Sequence, residues 1–273
     1  MKLFISIDLE GFPGVSAWHE VDGTSNAFFR HQKIITEQVV HLCTLLQRRY
    51  PNLNMITLCD SHSKGDSVIY DMLPRGTELV KGFPRQYYMM EGIDDTYSGI
   101  IYIGYHTGVG GFGNMDHTYS SSVIYELKIN GMTVDEFLIN SYLAGEYNIP
   151  IVCSIGGDRH IDDVTAYNNS ISTVVTKKEL GKFSSIAPSP SEFASRLERT
   201  ILSLREPDEY PVFRINPPIY ADIMLTNTLF AETASWIPNI ERTGGRTVRI
   251  TAQSMKEFYS LMMTMLFSAW AVK

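Results

Sequence analysis

Cysteine, charged side chains and long apolar runs are all scarce in this chain. It has three cysteines among 273 residues, 19% charged residues and a formal net charge of -7. Three scattered thiols in apolar surroundings do not form a disulfide framework, so we expect buried, reduced cysteines in a cytoplasmic protein. The absence of basic runs and of basic amphipathic helices argues against nucleic acid or an anionic membrane as a partner.

No apolar stretch approaches the roughly 20 residues that a membrane-spanning helix needs. The apolar run near the first residue is short and is broken by Asp8 and Glu10, which is not the pattern of a signal peptide. The hydrophobic share of 44% is typical of a globular protein and argues against general disorder. A chain of this length can bury a sizeable core, as one large α/β domain or two closely joined ones.

Buried strands and amphipathic helices alternate along the N-terminal part. Apolar runs and helical spacing predict strands at 1–7, 53–58, 99–103, 123–129 and 149–155, and helices at 26–50 and 134–147. Strand, helix, strand is the order of a right-handed parallel crossover. We therefore predict an α/β fold with a mainly parallel sheet flanked by helices.

The C-terminal part has a different pattern. We predict helices at 158–168, 189–204 and 254–271, and strands at 171–176, 211–215, 219–225 and 246–251. We accordingly divide the chain into a metal-binding catalytic α/β domain (1–157) and a smaller C-terminal α/β subdomain (158–273). The methionine stripe of the last helix indicates core packing rather than a metal site.

Three predicted strands end in polar side chains, in the segments ISIDLE, ITLCDSHS and IYIGYH. Asp8 and Glu10 are two residues apart and project to one side of an extended chain, where they repel each other unless a cation or a shared proton compensates them. Ligands in open α/β sheets gather beyond the carboxyl ends of the strands. If these strands are neighbours, the two acids converge with His62 and His106, a mixed set that suits zinc or a similar first-row ion.

Two further residues have alternative interpretations at this point. Glu136 is a candidate fifth ligand, but an acid in the first helical turn also compensates the helix dipole. The pattern predicts Thr133 as the N-cap of this helix and Glu136 as its third residue. His117, beside Asp116 in a loop, is either a third histidine ligand or a proton-transfer group.

Other motifs do not support their usual chemistry. The glycine-rich stretch at 108–113 fits G-x-G-x-x-G, but a β run follows it instead of a helix, so the phosphate-binding geometry is missing. Asp60, Ser61 and His62 are adjacent in sequence, which is not the geometry of a hydrolase triad. Phosphohydrolases with an aspartyl nucleophile prefer a second Asp where Glu10 stands.

Several segments resemble the DppA-type D-aminopeptidase family, zinc metallopeptidases associated with bacterial dipeptide-transport operons. The matching segments are MKLFISIDLEGFPG, CDSHSK, MMEGIDDTYSG, GYH, NMDH, VDEFLINSYLAGEYNIP, GGD and TGGRTV. The likeness covers nearly the whole chain. It departs at Asp116 and Asp135, where the family has Ser and Gly, and in a 107–136 stretch that is one residue longer.

The resemblance implies a role for each candidate and an assembly. Two zinc ions share Asp8; Glu10 and His62 complete one site, His106 and Glu136 complete the other, and His117 is the catalytic histidine. The family forms homodecamers of two stacked five-fold rings whose active sites face an inner channel. We therefore expect a zinc-dependent aminopeptidase that hydrolyses the N-terminal residue, a D-amino acid, of short peptides or amino-acid amides through a metal-bound hydroxide. The alternatives are a metal-dependent phosphohydrolase or other amidase, and a non-catalytic ring that binds peptide or metal.

Overall fold

The computed structural model describes residues 1–273 and contains two main β-sheets, a small hairpin and six α-helices. In chain order the elements are β1 (Lys2–Ile7), α1 (Asn26–Arg49), β2 (Met55–Asp60), β3 (Thr77–Val80), β4 (Gly99–Tyr105), β5 (Ile124–Ile129), β6 (Met132–Thr133), α2 (Glu136–Glu146), β7 (Ile151–Gly156), α3 (Asp158–Tyr167), β8 (Ser172–Val175), β9 (Lys178–Gly181), β10 (Ser184–Ile186), α4 (Pro190–Leu202), β11 (Ile219–Leu225), α5 (Thr228–Ala234), β12 (Ile240–Arg242), β13 (Thr247–Ala252) and α6 (Met255–Ala271).

The larger sheet has six parallel strands in the order β3-β2-β1-β4-β7-β8. Its central strands β1, β4 and β7 are almost wholly apolar and buried because helices cover both faces. The chain adds β2 and β3 on one side of β1, then β4, β7 and β8 on the other. The direction of winding therefore reverses between β1 and β4, and such a switch point leaves a crevice beyond the carboxyl ends of the strands. The predicted α/β fold with a mainly parallel sheet is confirmed.

The smaller sheet is antiparallel, with five strands in the order β12-β13-β11-β5-β6. The predicted Asn130-Gly131 turn joins β5 to β6, and both of its residues adopt positive φ. Strands from both sides of residue 157 contribute to each main sheet. The proposed division into 1–157 and 158–273 stays a prediction.

Helix packing follows the apolar stripes of the sequence. Ser25 caps α1 by accepting a hydrogen bond from the Phe28 amide (3.0 Å). The methionine stripe of α6 (Met255, Met262, Met263 and Met265) is at most 1% exposed, so it forms core as predicted. All three cysteines are buried free thiols, also as predicted. None of the helices combines the length and the apolar character that crossing a membrane requires.

The structure corrects two local predictions and adds elements that were not predicted. Residues 211–215 form no strand; an isolated bond from the Ile151 amide to the Pro211 carbonyl (2.9 Å) is their contact with β7. The N-cap of α2 is Asp135 rather than Thr133, since its carboxylate accepts from the Leu138 amide (2.7 Å), which makes Glu136 the first helical residue. The β9–β10 hairpin and α5 were absent from the sequence prediction.

Candidate metal centre

Three neighbouring strands bring the predicted metal ligands to one edge of the parallel sheet. Asp8 directly follows β1, His106 directly follows β4, and His62 lies two residues beyond β2. The amide of Asp8 donates to the Ile103 carbonyl of β4 (2.9 Å), so the sheet itself holds this residue in place. Glu136 approaches from the first turn of α2. The predicted ligands thus lie in one cluster, while their role as ligands stays a prediction.

Asp8 lies between two imidazoles and directs one carboxylate oxygen toward each. Its Oδ1 is 3.3 Å from Nδ1 of His62, and its Oδ2 is 3.3 Å from Nε2 of His106. Glu10 Oε2 is 3.2 Å from the same His62 nitrogen, and Glu136 Oε2 is 3.5 Å from the same His106 nitrogen. All three carboxylates are buried. The cluster therefore has two half-sites that share Asp8: a first with Glu10 and His62, and a second with His106 and Glu136.

Backbone carbonyls fix the proton position on each histidine of the cluster. The contacts are His62 Nε2 to Val21 O (3.0 Å), His106 Nδ1 to Thr107 O (2.9 Å) and His117 Nδ1 to Met115 O (3.0 Å). Because a carbonyl oxygen only accepts, the nitrogen facing it carries the proton, and in the neutral ring the other nitrogen is bare. Those bare nitrogens face carboxylates, and Nε2 of His106 is buried without any hydrogen-bond partner. A cation between nitrogen and carboxylate resolves this arrangement, which is typical of metal-ligating histidines.

The charges of the cluster also favour binding of a cation. Burial raises the pKa of Asp8, but the close imidazoles of His106 and His62 outweigh it and hold that pKa well below its ordinary value. Burial lowers the pKa of both histidines, yet the surrounding carboxylates (Glu10 and Asp8 beside His62, Glu136 and Asp8 beside His106) raise each well above its ordinary value. A divalent ion would supply the charge that these protons supply, and the donor set of nitrogen and oxygen fits zinc.

His117 lies against the second half-site. Its ring stacks on His106 with centroids 4.2 Å apart and 8° between the planes, and Trp18 packs edge-on against it at 5.2 Å. Its Nε2 is 3.9 Å from Oε1 of Glu136. The ligand atoms of His106, His117 and Glu136 lie within 4.8 Å of one another. This position suits both a further ligand and a proton-transfer group.

The cluster opens into a cavity of about 620 Å³. Asp8, Glu10, His62, His117 and Glu136 line its base. Small-molecule sites occupy cavities of about 300–1,000 Å³, so this one has room for a short peptide.

Comparison with known proteins agrees with this geometry. The model of the Peptidase M55 family, described as D-aminopeptidase, matches residues 1–264. The chain belongs to this family. A D-aminopeptidase of Bacillus subtilis (strain 168) is 30% identical over 269 residues, which cover 97% of this chain and 96% of that protein. The family assignment makes the protein a metallopeptidase.

A solved structure also matches closely. It is described as a zinc-dependent D-aminopeptidase, DppA from Bacillus subtilis, and as a self-compartmentalizing protease. The TM-score is 0.93 at 27% identity, and the match covers 99% of this chain and 98% of that one. The M55 fold, with its parallel sheet and smaller antiparallel sheet, is therefore shared over the whole length.

A buried polar network that the sequence did not indicate joins the metal half-sites to the histidine loop. Lys177 is 1% exposed and donates three hydrogen bonds of 2.6 Å, to the Glu10 carbonyl, the Val15 carbonyl and Oδ1 of Asn114. Glu179 accepts from the Asn114 amide (2.8 Å). A lysine next to a strand gives no sequence signal of burial, because its partners are mostly backbone carbonyls more than 100 residues away. The network therefore connects the segment from Glu10 to Val15 with Asn114, which precedes His117 in the chain.

Glycine is required at one position of the M55 site. Gly104 adopts φ +79°, and a Cβ there would lie 2.1 Å from the Asp8 carbonyl oxygen. The pairing of β4 with β7 shifts register at this residue, which marks a bulge directly before His106. The bulge lets β4 approach β1 closely and turns the following side chains toward the cluster. Ser63, Tyr88 and Tyr119, which line the cavity, also adopt positive φ without being glycine, a strain that concentrates at functional sites.

The alternative motifs have structural explanations. The 108–113 stretch is a loop that leads toward β5, with no helix N-terminus where a phosphate would bind. Asp60 accepts from the amides of Ser67 (2.5 Å) and Val68 (2.8 Å), which leaves it outside any triad with His62. His160, to which we assign no role, is buried on α3 and hydrogen-bonds Ser154 Oγ (2.8 Å).

Proposed function

We propose that this protein is a zinc-dependent aminopeptidase that releases the N-terminal residue, a D-amino acid, from short peptides or amino-acid amides. The observation that carries the proposal is the carboxylate of Asp8, which directs one oxygen to His62 and the other to His106 at 3.3 Å each. The D-stereochemistry rests on the activity by which the related proteins are described.

The two half-sites support two zinc ions per chain. Asp8, Glu10 and His62 would hold one ion, and Asp8, His106 and Glu136 the other. When bound, the ions supply Lewis acidity that activates water and polarises the scissile carbonyl. Four positive charges against three carboxylates leave the site net positive, which favours a negatively charged transition state.

The residues of the chain would bind and orient the peptide and move protons. The free α-amino group of the substrate would bind beside the cluster in its neutral form, because the zinc-loaded site carries a net positive charge. His117 would hold and transfer a proton at Nε2, because its Nδ1 proton is engaged by the Met115 carbonyl (3.0 Å). Trp18 against one ring edge and His106 against the ring face limit the orientations of this imidazole.

We further propose a homo-oligomer in the cytoplasm. The related structure is described as self-compartmentalizing, which supports an assembly, and the family resemblance suggests a homodecamer. The three buried free thiols suit a reducing compartment. Light scattering coupled to gel filtration measures the mass of the assembly and would refute the decamer if it gave another copy number.

The proposed activity is tested with zinc-loaded protein on matched substrates: D-alanyl-D-alanine, L-alanyl-L-alanine, the two alanine amides and a phosphoester. We expect hydrolysis of the D-peptide and D-amide, loss of hydrolysis on zinc chelation and recovery on adding zinc. Turnover of the phosphoester alone would support a phosphohydrolase instead. Bound zinc without turnover of any substrate would support a non-catalytic binding protein.

A further inference from the structure

One wall of the active-site cavity consists of aromatic rings that take no part in the metal cluster. Phe83 and Trp270 line the cavity with ring centroids 5.9 Å apart. Phe267 packs behind them, 5.3 Å from Phe83 and 5.6 Å from Trp270. We call Phe83, Trp270 and Phe267 the aromatic wall.

The aromatic wall lies at the mouth of the cavity and is linked to its base through two tyrosines. The ring of Phe83 is 6.4 Å from that of Tyr88, which is 6.3 Å from that of Tyr119. The amide of Tyr119 donates to Oε1 of Glu136 (2.5 Å). The row of rings formed by Phe83, Tyr88 and Tyr119 therefore reaches the metal cluster at its Tyr119 end. Tyr88 and Tyr119 are 6% exposed, whereas Phe83 is 43% exposed. Exposure therefore increases along the row from the metal cluster to Phe83.

A hydrogen bond of Trp270 and one of the neighbouring Tyr88 hold the aromatic wall in place before any ligand binds. The indole Nε1 of Trp270 donates to Oγ of Ser120 (3.2 Å), and the hydroxyl of Tyr88 donates to the Ser63 carbonyl (3.0 Å). Edge-to-face packing against Phe267 and Tyr88 limits the orientation of Phe83. A rigid apolar surface inside a cavity that also holds charged groups is the composition of a ligand-binding site, and an ordered wall loses little entropy when a ligand packs on it.

We propose that the aromatic wall binds the side chain of the residue after the scissile bond and selects a bulky apolar side chain there. The inference rests on the proposed aminopeptidase function, which places the substrate amino group and scissile carbonyl at the metal cluster. An extended peptide advances only about 3.3–3.6 Å per residue, so the second residue stays close to the cluster, and only a bulky side chain on it reaches toward Phe83 and Trp270. The substrate class is therefore a short peptide with an aromatic or large aliphatic second residue.

The test compares D-Ala-D-Phe, D-Phe-D-Ala and D-Ala-D-Ala on zinc-loaded protein. We expect kcat/KM for D-Ala-D-Phe to exceed that for D-Ala-D-Ala by about 10-fold or more, the size of discrimination that an apolar pocket gives. In Phe83→Ala this ratio should fall toward one, and in Phe83→Leu, which keeps an apolar side chain, part of it should return. The matched control is Trp236→Ala, an aromatic that is 72% exposed on the surface and outside the cavity; it should keep the wild-type ratio.

A binding measurement tests the contribution of the aromatic wall to peptide affinity separately from hydrolysis. Calorimetry on the zinc-loaded His117→Ala variant should rank the affinities of the three peptides in the same order as their kcat/KM values. When Phe83→Ala is added to that variant, the preference for D-Ala-D-Phe should disappear. If wild type prefers bulk at the first position, or if Phe83→Ala leaves the ratio unchanged, the proposal is wrong. If none of the peptides is hydrolysed but calorimetry still ranks D-Ala-D-Phe first, the wall is supported and the proposed function fails.

Discussion

Removing one charge from Asp8 should weaken both proposed zinc ions, whereas removing one charge from Glu10 should weaken mainly one. Asp8→Asn and Glu10→Gln are matched, since each replaces a carboxylate by an amide of the same size. Asp8 has one oxygen 3.3 Å from each of the two histidines, whereas Glu10 approaches one histidine within 4 Å, His62 at 3.2 Å. An ion held between these groups would therefore contact Asp8 in both half-sites and Glu10 in one.

The expected magnitude follows from the charges. Two unit charges about 4 Å apart interact by about 4 kcal/mol at an effective dielectric constant of about 20, and because zinc carries two charges this is a lower bound for the loss. A loss of that size lowers affinity by roughly 10³-fold, because about 1.4 kcal/mol corresponds to a factor of ten. Asp8→Asn should lose this affinity at both half-sites, and Glu10→Gln at the first.

The assay is zinc content by mass spectrometry after dialysis against buffers of graded free zinc. Wild type should bind two ions, Glu10→Gln should keep the second ion at concentrations where the first is lost, and Asp8→Asn should lose both together. Asp162→Asn removes an equal charge from a 71% exposed carboxylate on α3 and serves as the control, with wild-type content expected. Equal loss in the Asp8 and Glu10 variants would refute the shared role of Asp8.

Three further predictions concern the proton carrier, the strand bulge and a buried acid. His117→Ala should lower kcat by about 10²–10⁴-fold, the usual contribution of a general acid or base, with zinc content unchanged; a drop in zinc would make His117 a ligand instead. Gly104→Ala should lower the free energy of unfolding by more than the roughly 1–2 kcal/mol of a left-handed backbone, because its Cβ meets the Asp8 carbonyl. Gly14→Ala, at φ +85° with open space, is the control in urea denaturation and should cost the backbone amount only. Burial, then the charge of Asp162, raises the pKa of Asp163 from 3.8 to about 6, so the folded state binds the extra proton and stability falls as pH rises from about 4 to 6. Asp163→Asn should therefore raise the unfolding free energy by about 1–2 kcal/mol at pH 7, after allowance for partial solvent screening, and leave it unchanged at pH 3.5; an equal gain at both pH values would contradict this.

The elements of the parallel sheet could be predicted because each is a continuous apolar run of strand length between clear breaks. The neighbour relation of β1 with β2 and β4 could not, since pairing order depends on contacts between residues about 50 to 100 positions apart. The strand ends pointed to Asp8, Glu10, His62 and His106, whereas the role of Glu136 needed the family resemblance. An acid at the start of a helix has the same local pattern whether it binds metal or compensates the dipole.

The elements that sequence reasoning missed lack a periodic pattern. The strands of the β9–β10 hairpin have four and three residues and mix charged or polar residues with a single apolar side chain each, so neither alternation nor a buried run develops. The 211–215 stretch has strand-like residues, but it begins at Pro211, is followed by the Pro217-Pro218 pair and forms no ladder. Lys177 is buried because distant carbonyls surround its ammonium group, which no local sequence property encodes.

The position of the proposed ligands at strand ends and at a helix start separates two kinds of change that the family can undergo. The loop at 107–116 contributes no ligand, and its glycine-rich course lies between His106, fixed by β4, and His117, fixed by Met115 and Trp18. Insertions and substitutions in this loop can therefore be accommodated while the arrangement of the proposed ligands remains a property of the sheet. Such an architecture lets the loops diverge among family members while the chemistry of the site is kept. The 107–136 stretch, which the family resemblance implies is one residue longer in this chain, is the place to look for such divergence.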